Sequence, residues 1–463
     1  IRYCPQFFPK LTRINPMKEQ EIAENMFLSN PNVPPLYIEK TEGVYLYERS
    51  GLKILDASGG PMAVNIGFGR PELAEAAQKM ISDLSYILPV FASEARIELT
   101  KRIKKIVPEE LGRIYYCSGG SEANEAAIKL ARQYHVLLGR DSKYKVISRE
   151  LSYHGMTIAT LSLSDVKPRK RDFIPMLMDS YHIASSYCYR CPFGKEYPGC
   201  DLECAHDLEK RILKEGPETV SAFIAEPIVA SAAGAAVPPP EYFPIIRQIC
   251  DKYEVLLIVD EVVTGFGRTG KNMGMDHFNT LPDIATFAKG VSSGYAPMGG
   301  MAVKNEMMEV FEQKGAEFQH LYTFSGHPLS CAISNQVQRI IDEENLIDRA
   351  DKMGAYLRQR LKKLEELPMV GDIRGKGMLI GIEFVRDKDT KEPFPAEKRV
   401  TNTLISECIF KGVFFYPGYF EDEQGRGDHL MIAPPFIITE EQIDFCVDVL
   451  AEALEENQSK FYD

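Results

Sequence analysis

The sequence contains no tryptophan, few cysteines for its length and no long hydrophobic run. Ten cysteines in 463 residues are too sparse for a small disulfide-stapled scaffold, so we expect a reduced, cytoplasmic setting. The longest apolar runs, such as residues 255–259, have the length of a strand and fall far short of the ~20 residues that span a bilayer. The sequence therefore predicts no membrane-spanning segment.

An excess of positive charge is also lacking, because 54 basic residues face 66 acidic ones, for a net charge of −12. This balance argues against nucleic acid or an anionic membrane surface as a main partner. Residues 1–16 contain no acidic residue and no apolar segment of the kind that secretory signals carry. Two interpretations of residues 1–16 stay open, a segment added during cloning and a short transit-like leader.

What the chain does contain is an alternation of helical patterns with short Val- and Ile-rich runs, which predicts an α/β fold around a mostly parallel sheet. The predicted strands are 113–117, 144–148, 221–225, 255–259 and 284–287. The predicted helices are 92–106, 121–137, 240–252, 328–343, 346–366 and 439–456. Strand-like runs at 378–385 and 430–433 lie between the last two helices, and residues 35–66 have the pattern of a hairpin.

These patterns divide the chain into a large domain and a smaller α+β domain built from both termini. Residues 76–335 form the predicted large domain, and residues 17–75 and 336–463 form the two parts of the smaller one. The irregular stretch 184–205 is predicted to be an insertion in the large domain.

The insertion carries four cysteines in the spacing C-x2-C-x8-C-x3-C. They are Cys188, Cys191, Cys200 and Cys204. Four thiols could hold zinc or an iron–sulfur cluster, although the second gap is shorter than in usual zinc-finger patterns. Free or partly paired thiols in a loop are the alternative, and the sequence favours it.

Polar residues with chemical potential follow the predicted strands, where ligands bind to parallel sheets. Residues 118–121 read Ser-Gly-Gly-Ser and open a helix, so they could bind an anion or form an ordinary turn. Asp260 follows five apolar residues, and Lys289 follows a mostly apolar strand. Each could be a buried reactive group or an ordinary structural or surface residue. Tyr153 could stack on a planar ligand or pack in the core.

Taken together, these residues match one cofactor, pyridoxal phosphate. A lysine can hold its aldehyde, a carboxylate can keep its pyridine nitrogen protonated, an aromatic side chain can stack on its ring and a helix N-terminus can bind its phosphate. The run 265–270 also matches the dinucleotide pattern G-x-G-x-x-G. It lies five residues beyond its strand and precedes no helical pattern, so we do not expect a dehydrogenase.

Over residues 30–455 the chain resembles the class III pyridoxal-phosphate aminotransferases, the ω-aminotransferase group of fold type I. The resemblance is strongest at 258–270, which reads IVDEVVTGFGRTG, and at 282–290, where Pro-Asp-Ile precedes Ala-Lys-Gly. Residues 118–123, 153–155, 225–227 and 323–328 also match the family. This resemblance implies a large domain with a central, mostly parallel seven-stranded sheet between helices, together with a smaller α+β domain.

The resemblance also implies a role for each site residue. Lys289 is the expected Schiff-base lysine and proton shuttle, and Asp260 is expected to pair with the pyridine nitrogen. Tyr153 and Val262 are expected on the two faces of the ring, with Tyr153 also near the substrate. Gly120 and Ser121 are expected to hold the phosphate. The remaining residues expected at the cofactor are Ser118, Gly119, His154, Glu226 and Thr323.

The implied reaction moves an amino group from an ω-amine or ω-amino acid to pyruvate or another 2-oxo acid. It is a ping-pong reaction that passes through pyridoxamine phosphate, and (S)-selective amine transaminases are the expected type. Arg426 is our candidate for binding the acceptor carboxylate, with a solvated loop arginine as the alternative. Met62 is expected at the substrate pocket, where many amine-accepting relatives carry Leu-Trp instead of Pro61-Met62.

The resemblance further implies a homodimer, or a dimer of dimers, in which Thr323 reaches the phosphate of the neighbouring subunit. Two alternatives to an aminotransferase stay open. One is an amino-acid racemase or decarboxylase with the same cofactor and fold, since these enzymes share the lysine and the phosphate site. The other is a cofactor- or metal-binding regulatory protein without turnover, against which Lys289 and Asp260 argue.

Overall fold

A computed structural model describes residues 21–22, 24–27, 35–419 and 427–462 of the chain. Its strands, β1 to β15, are Ile38–Glu42, Tyr45–Glu48, Lys53–Asp56, Arg113–Cys117, Lys145–Arg149, Tyr181–Ile183, Val220–Ala225, Leu256–Asp260, Ile284–Phe287, Gly299–Val303, Val370–Lys376, Leu379–Phe384, Val413–Phe414, Tyr416–Tyr419 and Asp428–Ile432. Its helices, α1 to α13, are Gly59–Met62, Pro71–Asp83, Glu94–Ile106, Gly120–Leu137, Ile158–Leu163, Lys167–Lys170, Glu203–Glu215, Tyr242–Tyr253, Asn305–Lys314, Pro328–Glu343, Leu346–Leu361, Val400–Phe410 and Glu440–Tyr462. No helix in these ranges is both long enough and apolar enough to cross a membrane.

The large domain is built on a seven-stranded sheet in the order β4-β10-β9-β8-β7-β5-β6. Strand β10 runs antiparallel to both of its neighbours, and the pairs formed by β5 to β9 are parallel. The predicted fold class, a mostly parallel seven-stranded sheet between helices, is confirmed. The five strands predicted from the sequence are all present, within one residue at each end.

Helices cover both faces of this sheet, and the side chains of the central strands alternate between them. On β7, Phe223 packs with α7 and α8, whereas Ile224 packs with α4 and α9. On β8, Val259 packs with the first pair of helices and Ile258 with the second. Because both faces are buried, the strands are continuous apolar runs. Asp260 ends β8 in step with Ile258 and therefore faces α4.

The sequence prediction missed β6 and β10. Strand β6 has three residues, too few to show a period. Strand β10 begins with Gly299 and Gly300, and glycine weakens a strand signal because it is depleted in strands. A Cβ atom at Gly300 would lie 2.2 Å from the Tyr115 carbonyl oxygen. The residue that hides the strand from sequence patterns is thus the one that its close packing requires.

The smaller domain joins segments from the two ends of the described chain. Strand β13 pairs in parallel with β3, at the end of a sheet in the order β1-β2-β3-β13. A second, antiparallel sheet has the order β11-β12-β15-β14. Helix α11 ends at Leu361, before a short 3₁₀ turn, and α13 extends six residues beyond its predicted end at 456. The domain limits stay predictions, and the one at 335/336 falls inside α10.

The cysteine-bearing insertion is mostly irregular, with a 3₁₀ turn at Cys188–Arg190 and the start of α7 at Glu203. All four cysteines are free. Burial and the neighbouring thiols raise the pKa of Cys204 to about 12, so this thiol stays protonated at neutral pH. Within the described residues, no group of three or more His, Cys, Asp or Glu side chains is arranged to hold a metal ion. The metal hypothesis therefore gains no support from the geometry.

Candidate active site

The carboxyl ends of β4, β5, β7, β8 and β9 open onto one cavity of about 500 Å³. Each of these strand ends contributes residues that the sequence singled out. Residues 118–121 follow β4, residues 153 and 154 follow β5, Glu226 follows β7, Asp260 ends β8 and Lys289 follows β9. These groups therefore lie together at one edge of the sheet, as the sequence led us to expect.

Asp260 is the most firmly positioned group in the cavity. Its Oδ2 atom accepts hydrogen bonds from Nδ2 of Asn124 and from the Nδ1 side of the His154 ring, each at 2.8 Å. Its Oδ1 atom accepts from the Val262 backbone N–H at 3.1 Å. The carboxylate is 4% exposed. Because little solvent screens it, its negative charge acts mainly on groups inside the cavity.

Asn124 is a site residue that the sequence reasoning missed. It lies near the start of α4, and its Oδ1 atom also accepts a hydrogen bond of 2.7 Å from the Thr286 hydroxyl. A buried asparagine within a run of helix-spaced alanines was the available signal, because a buried amide needs polar partners.

Lys289 reaches the cavity from the turn after β9. Its Nζ atom makes no hydrogen bond and no ion pair within the described part of the chain. Burial lowers the pKa of this amine to about 8, partly offset by the charge of Asp260. The residue has φ +44°, a left-handed conformation that costs energy for a side chain other than glycine. A desolvated amine of this kind suits nucleophilic attack on a carbonyl carbon.

The N-terminus of α4 forms an anion-binding cradle beside these two groups. The first backbone N–H groups of a helix have no partner within the helix, and they carry partial positive charge. Glycine is required at position 120, because a Cβ atom there would lie 2.9 Å from Cγ1 of Val262. The Ser121 hydroxyl faces the same space and accepts a hydrogen bond of 3.2 Å from the Met156 backbone N–H.

Glu226 ties the loop after β5 to the wall of the cavity. Its Oε1 atom accepts a hydrogen bond of 2.9 Å from the Tyr153 backbone N–H, and its Oε2 atom lies 3.3 Å from the buried guanidinium of Arg149. Burial acts to lower the pKa of His154, but the charges of Glu226 and Asp260 outweigh it and raise that pKa. His154 thus lies between the two carboxylates, and its hydrogen bond helps to fix the orientation of Asp260.

The structure brings nearly all of the predicted site residues together. The residues among them that line the cavity are Met62, Ser118, Gly119, Gly120, Ser121, Tyr153, His154, Glu226, Asp260, Val262 and Lys289. Thr323 is exposed and does not line this cavity. Arg426 lies outside the described residues.

Arg169 and Tyr416 line the cavity but were not predicted. Arg169 belongs to a run of basic residues, 167–171, which by itself indicates a solvated surface. Tyr416 lies on β14 of the smaller domain, so its approach to the cavity depends on how the two domains pack. No sequence pattern that we used carries that information.

The residues present fit pyridoxal phosphate. The cavity beside Val262 and the N–H groups at the α4 N-terminus make a place for a flat ring and its phosphate. The unpaired Lys289 amine and the charged Asp260 carboxylate supply the two groups that the aldehyde and the ring nitrogen need.

Comparisons with known proteins place the chain in a family. The family model described as aminotransferase class-III matches residues 28–454. The putrescine–pyruvate aminotransferase of Pseudomonas aeruginosa is 39% identical over 425 residues, 90% of this chain and 90% of that protein. Gamma aminobutyrate transaminase 2 of Solanum lycopersicum is 35% identical over 434 residues, 92% of this chain and 93% of that protein. A thermostable (S)-enantioselective omega-transaminase from Thermomicrobium roseum superposes with a TM-score of 0.88 at 37% identity, covering 95% of this chain and 98% of that one.

The chain belongs to the class III aminotransferases. It is therefore an aminotransferase of fold type I, and enzymes of this family depend on pyridoxal phosphate. The resemblance drawn from the motifs is confirmed.

Proposed function

We propose that this enzyme moves an amino group from an ω-amine or ω-amino acid to pyruvate, or to another 2-oxo acid, by a ping-pong mechanism. The observation that carries the proposal is the unpaired Lys289 amine facing the same cavity as the firmly held Asp260 carboxylate. The relatives support the substrate classes, since one is named for putrescine and pyruvate and another for gamma-aminobutyrate.

When bound, pyridoxal phosphate supplies an aldehyde that captures amines and a ring that draws electrons from the substrate carbon. In our proposal the Lys289 Nζ atom takes the proton from the donor carbon and later returns it, a task for which a pKa of about 8 leaves part of the amine neutral. Asp260 would hold a proton on the pyridine nitrogen. Ser118, Gly119, Gly120 and Ser121 would bind the phosphate, and Tyr153 and Val262 would cover the ring. His154 holds Asp260 in place, and Glu226 holds Tyr153.

A donor panel tests this function. The purified enzyme is incubated with pyruvate and, in turn, putrescine, 1-phenylethylamine, β-alanine, 4-aminobutyrate, taurine and an α-amino acid, and alanine and the carbonyl product are measured together. We expect equal amounts of the two with an ω-amine or ω-amino acid. Alanine formation with α-amino acids alone would contradict the donor class. Racemisation of an amino acid without any oxo acid would favour the racemase alternative.

Met62 is proposed to leave room for bulky donors. Its side chain is buried at the cavity wall, at a position where many amine-accepting relatives carry tryptophan. Met62→Trp should lower kcat/KM for 1-phenylethylamine about tenfold while changing that for propylamine far less, because an indole fills more of the cavity. Initial rates with the two amines check this. Met178→Trp, at an exposed methionine outside this cavity, is the matched control, and an equal loss with both donors would contradict the assignment.

We also propose a homodimer in which Thr323 completes the active site of the neighbouring subunit. Large apolar side chains are exposed around Thr323 in the single chain, including Phe324 (56%) and Leu321 (59%). Tyr86 lies against them, with its ring 6.2 Å from that of Phe324 and its hydroxyl donating to the Thr323 carbonyl oxygen. A second copy would bury this patch.

Mixing two inactive variants tests the shared site. Lys289→Ala and Thr323→Ala should each be strongly impaired alone. Refolded together, they should recover activity, because a mixed dimer has one site with an intact Lys289 and an intact Thr323 from the other subunit. Activity assays and light scattering follow the recovery and the dimer mass. A monomeric mass, or mixtures that stay as inactive as their components, would contradict the proposal.

A further inference from the structure

Besides Lys289, the cavity is lined by a second cation that pairs with no carboxylate of the described chain. Arg169 lies on the short helix α6 and its side chain lines the cavity. The guanidinium carbon sits 4.7 Å from the centre of the Tyr153 ring, a cation–π contact. Arg169 forms no ion pair with any carboxylate in the described ranges. The Tyr153 ring thus holds the Arg169 guanidinium in place without supplying a negative charge to balance it.

The neighbouring cations of the same basic run are used differently. Lys170 donates hydrogen bonds to the Ser162 and Ser164 carbonyl oxygens, at 3.1 and 2.8 Å. Arg171 pairs with Asp172 at the surface. Lys167 is exposed. Among these four cations, Arg169 is the one that lines the active-site cavity.

The carboxylates that line the cavity are already engaged with other partners. Glu226 is bound by Arg149 and by the Tyr153 backbone N–H, and Asp260 by Asn124 and His154. The charge of Arg169 nevertheless reaches the reacting amine, since it contributes to lowering the pKa of Lys289. A negative group of the substrate would therefore find its countercharge at Arg169, within electrostatic range of the lysine.

We propose that the Arg169 guanidinium binds the carboxylate of the substrate, both in the 2-oxo acid acceptor and in an ω-amino acid donor. Arginine presents two parallel N–H groups that match a carboxylate, and the Tyr153 ring holds the guanidinium plane from one side. An uncharged amine would leave Arg169 on Tyr153, where its charge is still stabilised, so one cavity can accept charged and uncharged donors. This inference rests on the proposed function and deepens it, because it names carboxylate-bearing substrates and the residue that selects them.

The test compares Arg169→Gln and Arg169→Lys with the wild-type holoenzyme, with each half-reaction followed in single turnovers. For Arg169→Gln we expect KM to rise ~10- to 100-fold for pyruvate and for β-alanine, because a charge-assisted hydrogen bond is lost. The rate constant with 1-phenylethylamine should stay within about twofold of wild type. Arg169→Lys keeps the charge but loses the two parallel N–H groups, so its KM for pyruvate and β-alanine should lie between those of wild type and Arg169→Gln. Arg171→Gln, at the exposed ion pair, is the matched control and should behave like wild type.

A binding measurement separates this role from turnover. Propionate has a carboxylate but neither an amine nor a carbonyl group, so calorimetric titration of the holoenzyme with propionate reports the carboxylate site alone. Its Kd should rise by ~10-fold or more in Arg169→Gln. Arg171→Gln, at the exposed ion pair, should leave that Kd unchanged.

Three results would overturn the proposal. One is an equal loss with β-alanine and 1-phenylethylamine, which would mean that Arg169 merely supports Tyr153. The second is unchanged propionate binding in Arg169→Gln, and the third is an equal weakening of propionate binding in the surface control Arg171→Gln. If the wild-type enzyme transfers no amino group from any donor, the proposed function fails, and the propionate titration still decides what Arg169 binds.

Discussion

Replacing Lys289 with alanine is expected to abolish amino transfer in a chain that still folds. The side chain makes no hydrogen bond or ion pair in the described part of the protein, so its removal leaves no buried partner unsatisfied. Loss of the proton shuttle alone should reduce kcat by ~10²- to 10⁴-fold, and loss of the group that captures the cofactor aldehyde should reduce it further. Alanine formation from pyruvate and circular dichroism measure the two effects.

Lys271→Ala is the matched control for this substitution, because Lys271 is exposed and lies outside the cavity. It should retain wild-type rates. Multiple turnovers by Lys289→Ala would contradict the assignment of the lysine. So would borohydride reduction of the wild-type holoenzyme that fixes the cofactor to another side chain.

The buried amine should also give the cofactor-free chain a characteristic pH dependence. The pKa of Lys289 is about 8 in the folded chain, below the value of ~10.4 expected for an unfolded one. Between these two values the unfolded chain binds more protons, so the stability contribution of this group rises with pH through that window. Below pH ~8 the folded chain must bury a charged amine, a cost that Lys289→Met removes. The cofactor-free variant should therefore melt at a higher temperature than wild type at pH 7, with the difference shrinking towards pH 10.

The reactive groups could be located from the sequence because the apolar run of a buried parallel strand ends abruptly at a polar residue. The run at 255–259 is apolar on both faces, so the carboxylate that follows it must lie at the rim of the sheet. The same argument placed Lys289 after β9. Both residues therefore follow from a change in polarity along the chain, and their convergence follows from the parallel topology.

The residues that sequence reasoning missed are placed by contacts between distant segments. Asn124 meets Asp260 across 136 positions, and Tyr416 reaches the cavity from the smaller domain. Arg169 belongs to a basic run, which by itself predicts an exposed segment, but in the folded chain its side chain lies against Tyr153. Strand β10 was missed for a related reason, because close packing against β4 requires glycine where a strand pattern would place branched residues. Contacts between distant segments place these residues, and local sequence patterns carry no information about such contacts.

The second large effect is expected at Asp260. In Asp260→Asn the side chain keeps its size and one oxygen that can accept from Asn124 or Val262, so the fold should persist. The negative charge is lost, and with it the group that holds a proton on the ring nitrogen. Removing one fixed electrostatic partner of this kind costs about 10²- to 10³-fold in kcat. Single-turnover rates with 1-phenylethylamine measure the loss.

Glu261→Gln provides a stringent control, because Glu261 is the next residue and is just as buried but faces away from the cavity. Its carboxylate accepts hydrogen bonds from the Gly274 and Met275 backbone N–H groups, and burial raises its pKa to about 7. Replacing it should change thermal stability and leave kcat near wild type, because the charge it removes never faced the ring. If Asp260→Asn kept a wild-type rate, or if both variants lost activity equally, a charge directed into the cavity would not be the reason for the carboxylate at position 260.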